Sequence, residues 1–310
     1  MKKLLCILIL LAFVGCGKGT ASPAEAAPAT AQPTVLQAAE ASPAPTAAKI
    51  VISAAATPTV TPMATPTPSP EPTATPTPAP TATPEPTPAP GPLDGVVIGL
   101  DPGHQLHYDP APEPVAPGSK ETKQKVAGGC KGVKSGVYEY EVNLNVALLL
   151  RDMLEEAGAT VVMTHDVLDV NISNIRRAQI FNEAGVHLGL RLHCNKGGNP
   201  KLKGAFMIVP TENRTRFYAE NVYAAQTIIG AYCQETGLPT RYDGGLTYRG
   251  DQTGFNWCER PIVTIEMGHL SNPEEDALLS DPAFQARMAR GLFNGILQYF
   301  RPDLAESVHE

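Results

Sequence analysis

Residues 95–104 read GVVIGLDPGH, and this stretch decides how the chain folds. The run 95–101 is apolar almost throughout and ends in Asp101, the pattern of a strand buried on both faces. Pro102 and Gly103 do not prolong a buried strand, so the chain is expected to turn there. The turn leaves His104 at the carboxyl end of the strand. Open α/β sheets hold their ligands at that edge. The remaining question is what else the chain delivers to it.

Working outward, residues 105–138 are rich in Gly, Lys and Pro and read as a long loop. Helical periodicity then runs from Glu139 to Ala157, with Val142, Val146, Leu149 and Met153 on one face and Leu150 and Leu154 beside it. Gly158 ends that helix. Residues 159–164 (ATVVMT) read as a second strand. Residues 171–185 (NISNIRRAQIFNEAG) read as a helix capped by Asn171 or Ser173. Strands are expected at 186–193 (VHLGLRLH, apolar at alternate positions), 204–210 (GAFMIVP) and 261–268 (PIVTIEMG). Helices are expected over about 214–236 and from SNPEED at 271–276 to about 300. This alternation predicts an α/β fold: a single domain with a mostly parallel twisted sheet flanked by helices on both faces. It leaves the strand order open.

Chemical residues gather at the strand ends. His104 follows the first strand, His193 closes the third, and Glu266 sits near the end of 261–268. Glu139 opens the first long helix. Two histidines and one carboxylate are a recurring ligand set for catalytic zinc, with a position left for water. A further carboxylate can take that water's proton.

The segment before the domain is different material. Nineteen of the 31 prolines lie before residue 93. Residues 1–15 read as a signal peptide: Lys2 and Lys3 precede an apolar run of 11 residues, Leu4–Val14, too short to span a bilayer comfortably. Gly15 before Cys16 resembles the lipobox of bacterial lipoproteins, with Phe13 where leucine is usual. The resemblance implies lipidation of Cys16 and a membrane anchor. An ordinary cleaved signal and an uncleaved anchor are the alternatives, and all three place the domain outside the cytoplasm. Residues 16–92 read as a disordered linker rich in Ala, Pro and Thr, which buries too little apolar surface to offset its ordering entropy. In a polyproline conformation it would reach up to roughly 200 Å, at about 3.1 Å per residue. It reads as a tether across a cell wall or as a plain spacer. The catalytic domain is expected at 93–302 and a tail at 303–310.

The net charge of −7 argues against a general nucleic-acid binder. Cys6 falls within the signal. Cys130, Cys194, Cys233 and Cys258 lie in the domain, where export permits disulfides and three pairings are open. With no CxxC pair, a Cys-rich structural zinc site is not expected.

Four motifs, GLDPGH, EYEVNLNVALLL, RAQIFNEAGVHLGLRLHCN and IVTIEMGHLSNPEED, together resemble the zinc-dependent N-acetylmuramoyl-L-alanine amidases, bacterial wall hydrolases of the type-3 amidase family. The resemblance runs from about residue 95 to 300. It implies one Zn2+ held by His104, Glu139 and His193, Glu266 as the catalytic glutamate, and peptidoglycan as substrate. The bond cut would be the amide between N-acetylmuramic acid and the L-alanine of the stem peptide. Gln105 stands where the family usually has glycine, Cys194 where alanine is frequent, and His269 where phenylalanine is frequent. These three could line the site and alter substrate fit.

Other residues carry narrower expectations. His107 is the nearest rival to His104, and Glu141 is expected to face solvent or cap the helix. Asp101 would orient His104 through its free ring nitrogen or brace the turn. Arg191 alternates with His193 on one strand face and would bind a substrate carboxylate or form a structural ion pair. Arg177 would brace its helix against the sheet. Lys120, Lys123, Lys125, Lys131 and Lys134 make the 105–138 loop basic, suited to anionic wall polymers or simply solvated, and the loop could cover the site. A zinc peptidase of the stem peptide and a non-catalytic wall-binding or regulatory module are the alternative functions, and a regulatory protein partner stays open. A dinucleotide-binding oxidoreductase is disfavoured, because no GxGxxG follows the first strand.

Overall fold

The computed structural model describes residues 90–306. The expected signal peptide, Cys16, nearly all of the expected linker and residues 307–310 lie outside the described residues. In chain order the elements are β1 (Val97–Pro102), β2 (Asp109–Pro114), β3 (Thr122–Val126), α1 (Glu139–Glu156), β4 (Thr160–Met163), α2 (Asn174–Ala184) and β5 (Leu188–Asn195). There follow β6 (Phe206–Pro210), α3 (Tyr218–Thr236), β7 (Leu246–Arg249), α4 (Thr253–Asn256), β8 (Ile262–His269), α5 (Pro273–Leu279), α6 (Pro282–Phe300) and α7 (Pro302–Glu306). The main sheet has the order β4-β1-β5-β8-β6-β7. β4, β1, β5 and β8 run parallel, whereas β6 is antiparallel to β8 and parallel to β7. The mostly parallel α/β sheet expected from the alternating pattern is therefore present.

Strand alternation divides the labour between the two faces. Ile98 and Leu100 of β1, Leu188, Leu190 and Leu192 of β5, and Val263, Ile265 and Met267 of β8 join one core with α1, α3 and α6. The intervening positions point to the other face. There Gly99 and Gly189 form a floor for the Phe181 ring of α2, which lies 2.6 and 2.8 Å from where a Cβ would stand on each. Phe181, Val186, Phe206, Ile208, Phe255 and Ile262 make the smaller core of this side. Further along the same positions the apolar residues give way to Asp101, Arg191, His193 and Glu266. One face thus supplies bulk burial, and the other changes from packing to chemistry toward the carboxyl edge.

The fold corrects several sequence expectations. The 105–138 loop contains the antiparallel hairpin β2–β3. DPAPEP and TKQKV lack an apolar face to announce it, and proline is tolerated because a two-stranded hairpin leaves each strand one unpaired edge. In α1 the buried stripe is Val142, Val146, Leu150 and Leu154 with Ala147, and Leu149 is exposed. β5 is buried on both faces along most of its length rather than alternating, since β1 and β8 flank it under helices. Ser173, not Asn171, caps α2 by accepting from the Arg176 amide. The single helix expected after 271–276 is two: the Asp281 side chain accepts from the Ala283 amide and Pro282 opens a new helix. β7 and α4, four residues each, carried no readable period. α7 occupies the start of the expected tail. Among the described residues no helix is long and apolar enough to cross a membrane.

Candidate active site

The site is assembled at the carboxyl edge of β1, β5 and β8. Parallel register sets Asp101 beside Arg191 and His193 beside Glu266. After β1 the Gly103 amide donates to the Leu192 carbonyl at 2.8 Å, and Asn143 of α1 donates to the Gly103 carbonyl at 3.0 Å. A Cβ on Gly103 would lie 2.2–2.5 Å from the His193 ring, so only glycine fits between the two histidines. His104 itself has φ 64, the single described non-glycine residue with positive φ. Such a conformation costs on the order of 1–3 kcal/mol and persists where surroundings over-determine it. Here Arg177 does so, donating to the carbonyls of Pro102 (2.8 Å) and His104 (3.0 Å).

His104 Nδ1 lies 2.8 Å from the Ala127 carbonyl, which can only accept, so Nδ1 carries the proton. The opposite nitrogen, Nε2, lies 3.1 Å from Glu139 Oε1. His193 Nδ1 is 3.1 Å from the same oxygen. Glu139 is held from behind: the Cys130 amide donates to Oε2 at 2.9 Å and the Cys194 amide to Oε1 at 3.2 Å. The ligand atoms of His104, Glu139 and His193 all lie within 4.8 Å of one another. Nε2 and Oε1 are both lone-pair bearing when His104 is neutral, so their approach calls for a positive charge. A second ring proton or a metal cation provides it. Two imidazoles and a carboxylate, with His104 and Glu139 oriented by backbone partners, fit a metal ion chemically.

Burial opposes charge throughout the cluster, and the partners decide the outcome. Burial pulls the His104 pKa down, but the Glu139 carboxylate overrides it and the net shift is upward. Burial pushes His193 down to about 4. Glu139 resists burial through His104 and then His193 and stays well below the usual carboxylate range. Glu266 has no such partner. Burial, then the Glu139 charge, raises its pKa well above the ordinary value, with Arg191 and Arg249 opposing. Its Oε2 is shielded and has no hydrogen-bond partner among the described residues.

Two cavities meet here. One, of about 290 Å³, lies between the β2–β3 hairpin and the sheet and is lined by His104, His193, Glu266, Lys123, Arg191 and Arg249 among others. The second, of about 440 Å³, adds Gly128, Gly129, Glu139 and Lys196 to the same two histidines and Glu266.

Asp101 does not reach His104, whose ring nitrogen is taken by Ala127. Asp101 instead accepts from Arg177 at 2.6 Å, Arg191 at 2.8 Å and Thr164 at 2.8 Å. It braces the turn through Arg177. Arg191 is ion-paired to Asp101 and still lines the smaller cavity. Glu141 accepts from the Tyr138 amide at 2.8 Å and caps α1. His107 pairs with Asp169 at 2.7 Å, away from the cluster. Gln105 is buried, its side chain bonded to the Ile172 amide and Arg177, and lines neither cavity. His269 is fully buried against Asn195 and Glu275. Cys194 lines the second cavity. The four described cysteines are free, and Cys130 Sγ donates to the Cys194 carbonyl at 3.5 Å. Of the five loop lysines, Lys123 alone lines the described cavities. Sequence reasoning missed Asn143, which sits four residues after Glu139 on the same helical face. It also missed Arg249 and Asp251, which fall in a stretch without period.

The fold and the cluster define an α/β domain with a candidate metal centre at the carboxyl edge of its sheet. The chain matches the Amidase_3 family model, described as N-acetylmuramoyl-L-alanine amidase, over residues 98–298, and it belongs to that family of peptidoglycan amidases. It is 29% identical over 226 residues to the germination-specific N-acetylmuramoyl-L-alanine amidase of Bacillus subtilis, covering 67% of this chain and 81% of that one. It is 25% identical over 214 residues to an N-acetylmuramoyl-L-alanine amidase of Mycobacterium tuberculosis, covering 67% and 87%. Among solved structures, the amidase Ami1 of Mycobacterium smegmatis superposes with a TM-score of 0.63 at 24% identity, over 68% of this chain and 99% of that one. At that identity the likeness speaks for the fold.

Proposed function

We propose that the protein hydrolyses the amide between N-acetylmuramic acid and the L-alanine of the stem peptide in peptidoglycan. The observation that carries the proposal is the convergence of His104, Glu139 and His193 within 4.8 Å beside Glu266, in a chain of the amidase family. His104, Glu139 and His193 would hold one Zn2+. A zinc ion bound there supplies Lewis acidity, polarising the scissile carbonyl and making water a better nucleophile. Arg191 and Arg249 favour the carboxylate form of Glu266 against its burial and the Glu139 charge. Glu266, which lines both cavities, takes the proton of the attacking water and returns it to the leaving nitrogen. Asp101, Arg177 and Asn143 hold the turn that aims His104. Cys16 would carry a lipid anchor in the cell membrane, and the 16–92 linker would let the domain reach into the wall.

The test is product analysis on purified peptidoglycan with and without a chelator. Intact stem peptides beginning with L-alanine, lost with the chelator, are expected. Fragments cut within the stem would replace the proposal with a peptidase, and unchanged peptidoglycan would favour a binding module. For the anchor, Cys16→Ser is expected to move the protein out of the membrane fraction, and an unchanged distribution would refute lipidation.

A further inference from the structure

The smaller cavity is unevenly charged. Lys123, Arg177, Arg191 and Arg249 line it. Two carboxylates answer these four cations: Asp101 takes Arg177 and Arg191, and Asp251 takes Lys123 and Arg249. Glu266, the other acid on the wall besides Asp251, makes no ion pair with any of the four among the described residues. Donors remain unspent as well. Arg191 uses Nε on Asp101 and Nη2 on Asn174, leaving Nη1 without a partner among the described residues. Arg249 likewise uses Nε and Nη2 on Asp251. Lys123 spends two of its three donors, on the Asp251 carboxylate and carbonyl. Arg177 and Arg191 are buried and share the one Asp101 carboxylate, and a buried cation in excess of its counter-ions is costly unless an anion completes the set; Lys123 and Arg249 are partly exposed beside them.

Building on the proposed function, we propose that this chamber is a carboxylate subsite that recognises the stem peptide. The amidase reading decides which half of the substrate enters. The lactyl carboxyl of the muramic acid is consumed in the scissile amide, so the glycan side offers no free carboxylate beside the bond. The peptide side does, wherever a residue near the L-alanine keeps a carboxyl group unamidated. The chamber shares His104, His193 and Glu266 with the reaction centre, so a carboxylate held by Lys123, Arg191 and Arg249 sits on a residue close to the cleaved bond. The roomier second cavity is then left for the sugar. The Asp251 clasp keeps Arg249 and Lys123 oriented for a planar, charge-assisted contact. Arg249 and Lys123 thereby become specificity-determining residues.

The experiment uses the full-length, zinc-loaded protein and two soluble disaccharide-peptide substrates. They differ only in carrying a free carboxylate or its carboxamide on the residue following L-alanine. The free acid is expected to be cleaved with a kcat/KM at least about 10-fold higher, the range of a charge-assisted hydrogen bond. Arg249→Gln and Lys123→Gln should each shrink that ratio several-fold, with thermal unfolding and metal content measured alongside. A wild-type ratio near one, or a ratio that neither variant moves, overturns the subsite. If neither substrate is cleaved, the amidase reading fails instead. The subsite then stands or falls on calorimetric binding of the free-acid and carboxamide peptides, where equal affinity refutes it.

Discussion

Asp101→Asn is the sharpest probe of how the active-site turn is held. Asp101 is 1% exposed, and its carboxylate receives Arg177 at 2.6 Å, Arg191 at 2.8 Å and the Thr164 hydroxyl at 2.8 Å. Arg177 and Arg191 are 3% and 7% exposed. The substitution keeps the shape, removes the charge and turns one accepting oxygen into a donor facing a guanidinium. Breaking a buried ion pair by removing one partner costs about 3–5 kcal/mol, because the remaining charge is left uncompensated. Here two guanidiniums lose their counter-ion, so the loss should sit at or above the lower end of that range. For a domain of this size it corresponds to a fall in Tm of about 6–20 °C. The assay is thermal unfolding followed by circular dichroism at neutral pH.

The pH dependence gives an independent check on the same residue. Burial works against the Asp101 carboxylate, but Arg177 and Arg191 hold it far below the usual range. A depressed folded-state pKa contributes stability that is complete above the unfolded value of about 3.9 and is lost as pH falls below it. The gap between wild type and variant should therefore be constant from pH 5 to 8 and narrow below about 4. A Tm shift under about 2 °C, or a gap that narrows near neutrality, would refute the view that Asp101 is the charged anchor of the turn.

Three further outcomes are expected. Glu266→Ala should retain bound metal and lose at least about 100-fold in turnover, the lower range for a missing acid/base group; near-normal turnover would remove its role. His193→Ala should lower the metal-to-protein ratio measured by elemental analysis, and an unchanged ratio would remove it from the ligand set. His165 is driven down to about 4, first by burial and then by Arg177. The unfolded chain protonates near pH 6.5, so this histidine destabilises the fold progressively as pH drops from about 6.5 to 4. His165→Gln should flatten that segment of the stability curve in denaturant titrations, and an unchanged curve would refute the lowered His165 pKa.

Local pattern was enough to read the strands β1, β4, β5, β6 and β8, the long helices between them and the chemical types near their ends. Burial imposes period on a chain: GVVIGLD, HLGLRLH and PIVTIEMG had to be strands between helices, and the Pro-Gly turn had to expose His104. The three residues of the candidate metal cluster and Glu266 were legible because each lies at or near the end of a periodic element. Their role as a set came from the resemblance, since spacing along a chain says nothing about distance across a sheet. Tertiary structure decided the rest. Register placed Glu266 beside His193 and Asp101 beside Arg191, and strand order is a long-range property with no local signature. It gave His104 to Ala127 rather than to Asp101, because the carbonyl comes from a loop whose path depends on packing. It folded DPAPEP and TKQKV into a hairpin that lacks an apolar stripe. It also drew Lys123, Arg249 and Asp251, more than a hundred residues apart at the extremes, into one charged chamber. Charge complementarity acts through space and leaves no period in the sequence to read.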